Sequence, residues 1–238
     1  MLESGGSLTY HPAMGHPPCR PARLVALVAA LVLATGPAWA QDAAIPPASG
    51  AGPAPAVVLA RLATDPRTPE GYSASLELHA KLHSFPFIGL TVHGTSSYRK
   101  PGLYHYQLQN LPHIAAKFDD LHYDLGDPTS WGQRYDIAMA PESSEEAPIL
   151  RLTPKKPGLV MYLDIETDNK HARMLRATWK RHDGGTIVLT QTYGAIGSAD
   201  VVTQQHATLD IPHMRAEVTA TYTNIAVDSP MFATVPDR

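Results

Sequence analysis

The chain has 238 residues, a formal net charge of −3, 17% charged residues and one cysteine. No block or stripe of basic residues occurs, so neither composition nor charge indicates a nucleic-acid partner. A single cysteine cannot form an intramolecular disulfide, so we expect the folded part to be stabilised by its apolar core alone.

Residues 1–40 have the layout of a secretory signal peptide. Two arginines precede the apolar run Leu24–Ala34, and a helix-breaking "TGP" and a small-x-small triplet ending at Ala40 follow it. The run is shorter than the about 20 residues that a membrane span needs, which favours cleavage after Ala40 over an uncleaved anchor. Cys19 precedes the run, whereas a lipoprotein signal places its cysteine just after it, so we do not expect lipid attachment.

The next two segments predict a linker and a helix. Residues 41–55 are mostly Pro, Ala and Gly without an apolar period, which is typical of a flexible linker. Residues 56–64 carry four aliphatic side chains around Arg61, and this pattern predicts an amphipathic helix that ends near Asp65, before Pro66. Its apolar side should lie against a larger apolar face.

From Tyr72 the apolar residues recur with a period of two, which predicts β-strands. Three segments, "SLELHAKLHS", "IGLTVHGTSSY" and "LYHYQLQNL", each place apolar side chains on one side. These side chains are Leu76, Leu78, Ala80, Leu82, Ile88, Leu90, Val92, Tyr104, Tyr106 and Leu108. The residues that follow predict a second short helix over Pro112–Asp120, with proline in its first turn, and an irregular stretch over Leu121–Trp131.

The second half predicts a run of antiparallel strands. The segments "GQRYDIAMA", "PILRLTP", "LVMYLDIE", "HARMLRATWKR", "TIVLTQTYG", "DVVTQQHATLDI" and "MRAEVTATYTNIAV" alternate and are separated by turn residues. Turn signals at intervals of about ten residues indicate an antiparallel meander, of about ten strands in all. In "LVMYLDIE" the apolar side is predicted to hold Leu159, Met161, Leu163 and Ile165.

The segment "KRHDGGTI" places His182 beside Asp183, a combination that could belong to an active site. Asp183 and Gly184, however, stand between two alternating strands, where an Asp-Gly pair supplies the positive φ of a tight hairpin. The side chains of adjacent residues also diverge in an extended chain. We therefore interpret this segment as a hairpin turn.

Catalytic motifs are missing from the sequence. It has no Gly-x-Ser-x-Gly elbow, no cysteine nucleophile after the signal segment and no glycine-rich phosphate loop. The acidic pairs Asp119–Asp120 and Glu145–Glu146 fall in predicted loops, where such pairs are usually solubilising. The sequence therefore predicts neither an enzyme nor a cofactor.

A histidine row is the one candidate for a metal site. If the first two strands pair as a hairpin, His79 and His93 could lie opposite each other, with His105 of the third strand near the same row. Two or three imidazoles in such a row could bind zinc or copper. No carboxylate or cysteine stands at a tight ligand spacing, so solvated histidines on an outer face are the favoured interpretation.

The apolar face of so many strands must be covered. We expect a mainly β, α+β fold, with one antiparallel sheet curled into an incomplete β-barrel and lidded by the two short helices. Such a sheet can enclose a cavity for an apolar ligand, although bulky side chains could instead fill it. The predicted lining is Leu78, Leu90, Val92, Tyr104, Tyr106, Met161, Leu163, Leu175, Trp179 and Leu189.

The order of segments is similar to that of the periplasmic outer-membrane lipoprotein carrier superfamily, with its LolA-like and LolB-like members. The resemblance lies in the corner "YRKPGLYHYQL" and in "LRLTP" followed by "VMYLDIETDNKHARMLRATW", within residues 56–228. It implies one open-barrel domain over 56–238 that shields acyl chains, without catalytic residues or cofactor. The superfamily's cavity arginine has no fixed equivalent here, and Arg99 and Arg134 are the candidates.

These observations predict a soluble periplasmic carrier that shields lipid or lipoprotein acyl chains and makes transient membrane contact. One alternative is a cell-envelope module that docks a partner protein on the same concave face. The other alternative is a metal-binding protein that uses the histidine row. The sequence does not identify the cargo.

Overall fold

The computed structural model describes residues 53–84, 89–100, 102–109, 120–124, 128–168, 170–171 and 173–227. The predicted signal peptide, residues 41–52 of the predicted linker and residues 112–119 of the second predicted helix lie outside these ranges. No helix within them is long and apolar enough to cross a bilayer.

Within the described ranges, one α-helix and a short 3₁₀ helix accompany a single antiparallel sheet of 11 strands. The elements are α1 (Pro55–Thr64), β1 (Gly71–Leu82), β2 (Gly89–Arg99), β3 (Leu103–Gln109), β4 (Asp120–Asp124), the 3₁₀ helix (Pro128–Gln133), β5 (Tyr135–Met139), β6 (Ile149–Pro154), β7 (Val160–Asp168), β8 (Arg173–Arg181), β9 (Thr186–Ile196), β10 (Ala199–Ile211) and β11 (Met214–Val227).

The strand order is β4-β3-β2-β1-β11-β10-β9-β8-β7-β6-β5. Two meanders, β1 to β4 and β5 to β11, therefore join through the pairing of the first strand with the last, in which Leu76 faces Tyr222. The strands β4 and β5 form the two edges and are not paired with each other, so the sheet is not closed into a barrel. The predicted fold class is confirmed.

The connection between the edge strands requires the sheet to curl. A flat sheet of 11 strands would be about 48 Å wide, because neighbouring strands lie about 4.8 Å apart. The chain from Asp124 to Tyr135 reaches at most about 40 Å when fully extended. Part of it is the 3₁₀ helix, which rises only about 2 Å per residue and shortens that reach to about 32 Å. The edges must therefore approach each other.

Helix α1 packs its apolar side against the sheet beside the edge strand β5, as predicted for its apolar side. A proline occupies its first turn, where a backbone N–H would have no acceptor within the helix and its absence therefore costs no hydrogen bond. Val58 is buried, and Leu59 and Leu62 pack beside it against a cluster that includes Trp131 of the 3₁₀ helix. The predicted helix and its apolar contact are both confirmed.

The interior is continuous across two large clusters of buried apolar residues. The first centres on β1, β10 and β11, where Leu78, Leu209 and Val218 are almost fully buried. The second joins β6, β7 and β8 to α1 and the 3₁₀ helix. Trp179 and Leu189 are half-buried and pack against both clusters. We call the side of the sheet that carries these residues the inner face.

Two local predictions are wrong. The stretch expected to be irregular contains β4, in which Leu121 pairs with Tyr106 of β3. Five residues give little alternation, so pairing with a neighbour decides this strand. In β7 the pairing register shifts between Val160 and Tyr162, which leaves Met161 as the bulged residue. Met161 is 40% exposed and Leu159 is 48% exposed, so neither lies in the core.

The segment containing His182 and Asp183 is a hairpin turn, as predicted. Gly184 has a φ of +82°, and the Arg181 N–H donates to the Gly185 carbonyl oxygen at 3.0 Å. The Asp183 carboxylate accepts hydrogen bonds from the Arg181 guanidinium and from the Gly185 N–H, and these bonds lower its pKa. Asp183 is therefore occupied in building the turn.

Candidate ligand-binding face

The middle of the inner face is aliphatic. Alternate residues of β1 point inward, and each of them is at most 5% exposed from Ala74 to Leu82. They meet inward-facing residues of β2, β10 and β11, including Val92, Leu209 and Val218. This zone offers hydrocarbon and almost no hydrogen-bonding groups.

One end of the inner face is lined by tyrosines. Tyr72, Tyr98 and Tyr104 stand in register across β1, β2 and β3. Their ring centroids are 5.1 Å apart between Tyr72 and Tyr98 and 4.9 Å apart between Tyr98 and Tyr104. Tyr106 lies 6.1 Å from Tyr104. With Tyr193 and Tyr222 these residues form what we call the tyrosine cluster.

Five of the six phenol groups of this cluster have a raised pKa and stay neutral far into the alkaline range. Burial raises the pKa of Tyr98 to about 12, assisted by the negative charge of Glu70. Burial also raises the pKa of Tyr72, Tyr104, Tyr193 and Tyr222. The cluster therefore presents hydroxyl donors, and not phenolates, in neutral solution.

Two tyrosines of the cluster are hydrogen-bonded to buried glutamines. The Tyr193 hydroxyl donates to Gln191 Oε1 at 2.7 Å and lies 2.9 Å from the Met174 carbonyl oxygen. The Tyr222 hydroxyl donates to Gln205 Oε1 at 2.7 Å. These bonds fix both rings against the sheet, because a buried hydroxyl without an acceptor would be costly.

Ser96 is the one buried hydroxyl among the described residues that has no hydrogen-bond partner. It is 2% exposed and stands between Ala74 of β1 and Tyr106 of β3 in the pairing register. An unsatisfied buried hydroxyl typically costs about 1–3 kcal/mol. Ser96 therefore leaves one donor unused beside the tyrosine cluster.

An ion network closes the same end of the sheet. Asp200, whose side chain is 7% exposed, lies 2.7 Å from Arg67 Nη2 and 3.2 Å from Arg173 Nη1. The Arg173 guanidinium also lies 3.3 Å from Asp168 and 4.9 Å from the centre of the Tyr193 ring. The network ties the segment after α1 to the starts of β8 and β10.

Asp168 anchors the outer part of this network. Burial opposes its ionisation, but hydrogen bonds from the His171 ring and from the N–H groups of Lys170 and His171 outweigh burial and lower the pKa of the carboxyl. His171 Nδ1 lies 2.9 Å from Asp168 Oδ2. The network was not predicted from the sequence, since the residues that meet at Asp200 come from distant segments.

The structure divides the predicted lining residues into three groups. Four are buried: Leu78, Val92, Tyr106 and Leu163. Five are half-buried. Of these, Leu90, Tyr104, Trp179 and Leu189 pack against the apolar clusters of the inner face, whereas Leu175 stands at a register shift of β8, where its neighbour Met174 packs inward. Met161 is exposed at the surface. The lining as a whole stays a prediction.

The two arginine candidates lie in different parts of the fold. Arg99 is half-buried at the end of β2. Arg134 is exposed after the 3₁₀ helix, and its guanidinium lies 5.8 Å from the centre of the Tyr135 ring. A third arginine, Arg173, stands over Tyr193 of the cluster. Nothing in the sequence around Arg173 indicated that its guanidinium would contact Tyr193.

The histidine row does not form as predicted. His79 pairs with Thr91, and His93 pairs with Glu77, so the two histidines are offset by two residues and do not face each other. His79 Nδ1 lies 3.0 Å from the Thr91 hydroxyl, and His93 Nδ1 lies 3.7 Å from the Glu77 carboxylate. His105 pairs with Ser97, further along the hairpin.

Among the described residues, no three His, Cys, Asp or Glu side chains come together as a set of metal ligands. His79 and His93 each have a polar neighbour, a hydroxyl and a carboxylate respectively. The directly facing pair on which the metal-site hypothesis depended is therefore not formed by β1 and β2.

Comparison with known proteins shows a LolA-like fold. No family model matches the chain, and no curated protein matches it in sequence. A LolA superfamily protein from Nitrosomonas europaea is 8% identical, with a TM-score of 0.52 over 78% of this chain and 99% of its own. A Vibrio parahaemolyticus domain described as an outer membrane lipoprotein-sorting protein is also 8% identical, with a TM-score of 0.52 over 73% and 92%.

A DUF1329 family protein from Desulfovibrio piger is similar as well. It is 12% identical, with a TM-score of 0.50 over 73% of this chain and 92% of its own. At these identities the likeness shows the fold alone. The resemblance read from the sequence is confirmed at that level.

Proposed function

From a LolA-like fold with a continuous apolar inner face, we propose that the protein is an exported carrier that binds acyl chains of lipids or lipidated proteins in the periplasm. The observation that supports this most is the unclosed 11-strand sheet, whose inner face is aliphatic in the middle and open at its edges. A similar solved domain is described as a lipoprotein-sorting protein, which agrees with such a cargo. The proposed activity involves no catalysis and no cofactor.

Apolar burial supplies the driving force for this binding. Each methylene group that leaves water contributes about 0.8 kcal/mol, so a chain of ten buried methylenes gains about 8 kcal/mol before the entropic costs of binding. The inner face needs no charged group to hold such a chain. Specificity would come from the ends of the ligand.

The proposed entry point is the junction of the two apolar clusters. Trp179 and Leu189 are half-buried there and contact both clusters. Side chains that retain exposure can move aside at lower cost than fully packed ones such as Leu78. An acyl chain would enter beside Trp179 and displace its contacts with one cluster.

The tyrosine cluster would receive the polar end of the ligand. Its neutral hydroxyl groups and the unused Ser96 hydroxyl suit the carbonyl oxygens of esters and amides. These are the groups that join acyl chains to glycerol or to an amino terminus. The ion network beside them has its arginines already paired with carboxylates, so it favours an uncharged end.

Tryptophan fluorescence can test this assignment. The protein is recovered from the periplasm of an expressing bacterium and mixed with esters of brominated fatty acids, since bromine quenches indole fluorescence on contact. We expect quenching of Trp179, which Trp179→Phe abolishes. The matched variant Trp131→Phe should retain it, because Trp131 is buried under α1.

Native mass spectrometry of the same preparation gives a second measurement. A carrier should retain an apolar adduct or take up added lipid. Protein that never carries lipid, and shows no quenching in any variant, would exclude the carrier function. Capture of a partner protein by lipid-free material would then support the envelope-docking alternative.

A further inference from the structure

A cationic and apolar surface lies at the end of the sheet opposite the tyrosine cluster. It is formed by the turn between β6 and β7 and by the neighbouring ends of β7 and β8. We call it the basic corner, and it consists of Lys155, Lys156, Leu159, Met161, Lys180 and Arg181. The exposed His182 adjoins it, and its N–H donates to the Leu159 carbonyl oxygen at 2.9 Å.

Two large apolar side chains of the basic corner are exposed to solvent. Leu159 is 48% exposed and Met161 is 40% exposed. Only two other large apolar residues in the described part of the chain are comparably exposed, namely Val57 and Ile196. Leu159 directly precedes β7 and Met161 is the bulged residue at its start, so both exposed side chains lie next to the β6–β7 turn that carries Lys155 and Lys156.

The charge of the basic corner is opposite in sign to that of the whole chain. Four cationic side chains, Lys155, Lys156, Lys180 and Arg181, stand with two carboxylates, Asp136 and Asp183, which gives a local charge of +2. The chain as a whole carries −3.

The cations of the basic corner differ in exposure. The Arg181 guanidinium lies 2.6 Å from Asp183, and its side chain is 14% exposed. The Lys155 ammonium donates to the Gly132 carbonyl oxygen and lies 3.8 Å from Asp136, yet its side chain is 43% exposed. Lys155 and the exposed Lys156 are therefore the most accessible cations beside the two exposed apolar side chains.

We propose that the basic corner is a docking surface for an anionic phospholipid bilayer. Leucine and methionine side chains would enter the boundary between headgroups and acyl chains, while the lysines contact the lipid phosphates. A protein partner would fit this surface less well, because lysine is depleted at protein interfaces and the apolar part here has no aromatic residue. The end of the sheet that carries the basic corner would then face the membrane.

Vesicle binding tests the proposal. Exported protein, with its N-terminus read by mass spectrometry, is sedimented with vesicles of phosphatidylglycerol and phosphatidylcholine or of phosphatidylcholine alone. We expect binding to the anionic vesicles only. Each lysine near such a surface contributes about fivefold to partitioning, so Lys155→Gln with Lys156→Gln should weaken binding by about 25-fold. Leu159→Ser with Met161→Ser should reduce binding to the anionic vesicles without changing the charge of the protein.

A matched control lies at the other end of the sheet. Ile196 is 39% exposed and Lys170 is exposed, so Ile196→Ser with Lys170→Gln removes the same kinds of groups there. This variant should bind vesicles like the unchanged protein. All proteins share one N-terminus, so any contribution of that segment cancels in the comparison.

Three results would overturn the proposal: no binding to anionic vesicles, equal binding to neutral vesicles, or equal losses in the control and the corner variants. Loss of a protein partner by the corner variants without vesicle binding would assign the surface to that partner, and would also overturn it. Unchanged circular dichroism melting curves show that the variants are folded. Acyl-chain binding is measured separately, so failure here leaves the carrier function standing.

Discussion

Asp200 is the residue on which the ion network depends most. It is a buried carboxylate between Arg67 and Arg173, and replacing it with asparagine leaves the Arg173 charge half-buried with one carboxylate fewer. Breaking a buried pair by removing one partner typically costs about 3–5 kcal/mol. We expect Asp200→Asn to lower the free energy of unfolding by an amount near the lower end of that range, measured by urea denaturation.

The matched control for this prediction is Asp210→Asn. Asp210 pairs with Arg215 at 3.0 Å, but both side chains are more than half exposed. Exposed pairs contribute about 0–1 kcal/mol, so this variant should unfold almost like the unchanged protein. Equal effects of the two substitutions would show that the network at Asp200 does not stabilise the fold.

The buried tyrosines predict a loss of stability in alkali. Their pKa is raised in the folded chain, so the stabilisation is complete below pH 10 and declines as the pH rises toward about 12, the pKa of Tyr98. Each such tyrosine lowers the free energy of unfolding by up to about 1.4 kcal/mol per pH unit in that window. Urea unfolding between pH 9 and 11.5, with phenolate absorbance at each pH, measures the slope.

The variant Tyr98→Phe isolates one titrating group of the cluster. It should reduce the slope above pH 10 by the contribution of one tyrosine and leave the slope below pH 9.5 unchanged. Phenolate absorbance that develops fully at pH 10 without unfolding would contradict the burial of these rings.

At the scale of single residues, the sequence predicted inward and outward positions but few contacts. Leu78 and Val92 are buried as their alternation indicates. The predicted facing of His79 and His93 is wrong because alternation sets the face of a residue, whereas the partner depends on where the hairpin turns. Asp200 and Arg67 are far apart in the chain, and no local pattern connects them.

At the scale of elements, Gly94 determines how closely β2 and β3 approach. A Cβ atom at this position would overlap the backbone carbonyl oxygen of Gln107. Gly94→Ala must therefore separate the strands, and we expect it to lower the free energy of unfolding by about 1–3 kcal/mol, as overpacking typically does. Chemical denaturation measures this loss.

Gly89 of the same strand provides the control. An added Cβ atom there would meet nothing within 4 Å. Gly89→Ala should be neutral or slightly stabilising, because alanine restricts the unfolded chain more than glycine does. If Gly94→Ala left the free energy of unfolding unchanged, β2 and β3 could separate without a loss of stability.

The elements themselves were predictable to the extent that their residues alternate. Long strands such as β10 and β11, with 13 and 14 residues, have enough repeats to identify them. The five residues of β4 do not, and pairing with β3 makes them a strand. The bulge at Met161 breaks the alternation inside β7, so the sequence assigned this side chain to the interior while the structure exposes it.

At the scale of the whole molecule, the topology predicts a graded stability. The central strands β1, β10 and β11 are long and paired on both sides, whereas β4 and β5 have five residues each and, within the described residues, pair with a strand on one side only. Amide hydrogen exchange followed by mass spectrometry should therefore be slowest in the central strands and fastest in the edge strands. Exchange in β5 peptides as slow as in β11 would show that the β5 edge is covered.

The fold class was predictable at this scale because many alternating strands with one apolar face must curl to bury that face. The strand order was not, since the pairing of β1 with β11 joins residues such as Leu76 and Tyr222 across most of the described chain. The resemblance supplied the architecture that periodicity could not. The cavity lining remains a prediction, as packing around half-buried residues such as Trp179 is decided only when all segments meet.

The connection from Asp124 to Tyr135 also acts as a tether. It begins at one edge strand of the sheet and ends at the other, and its reach of about 32 Å is an upper bound on the separation of Asp124 and Tyr135 for as long as the 3₁₀ helix persists. An unrolled sheet would need about 48 Å between its edge strands. The curl therefore survives any opening motion that leaves this connection intact.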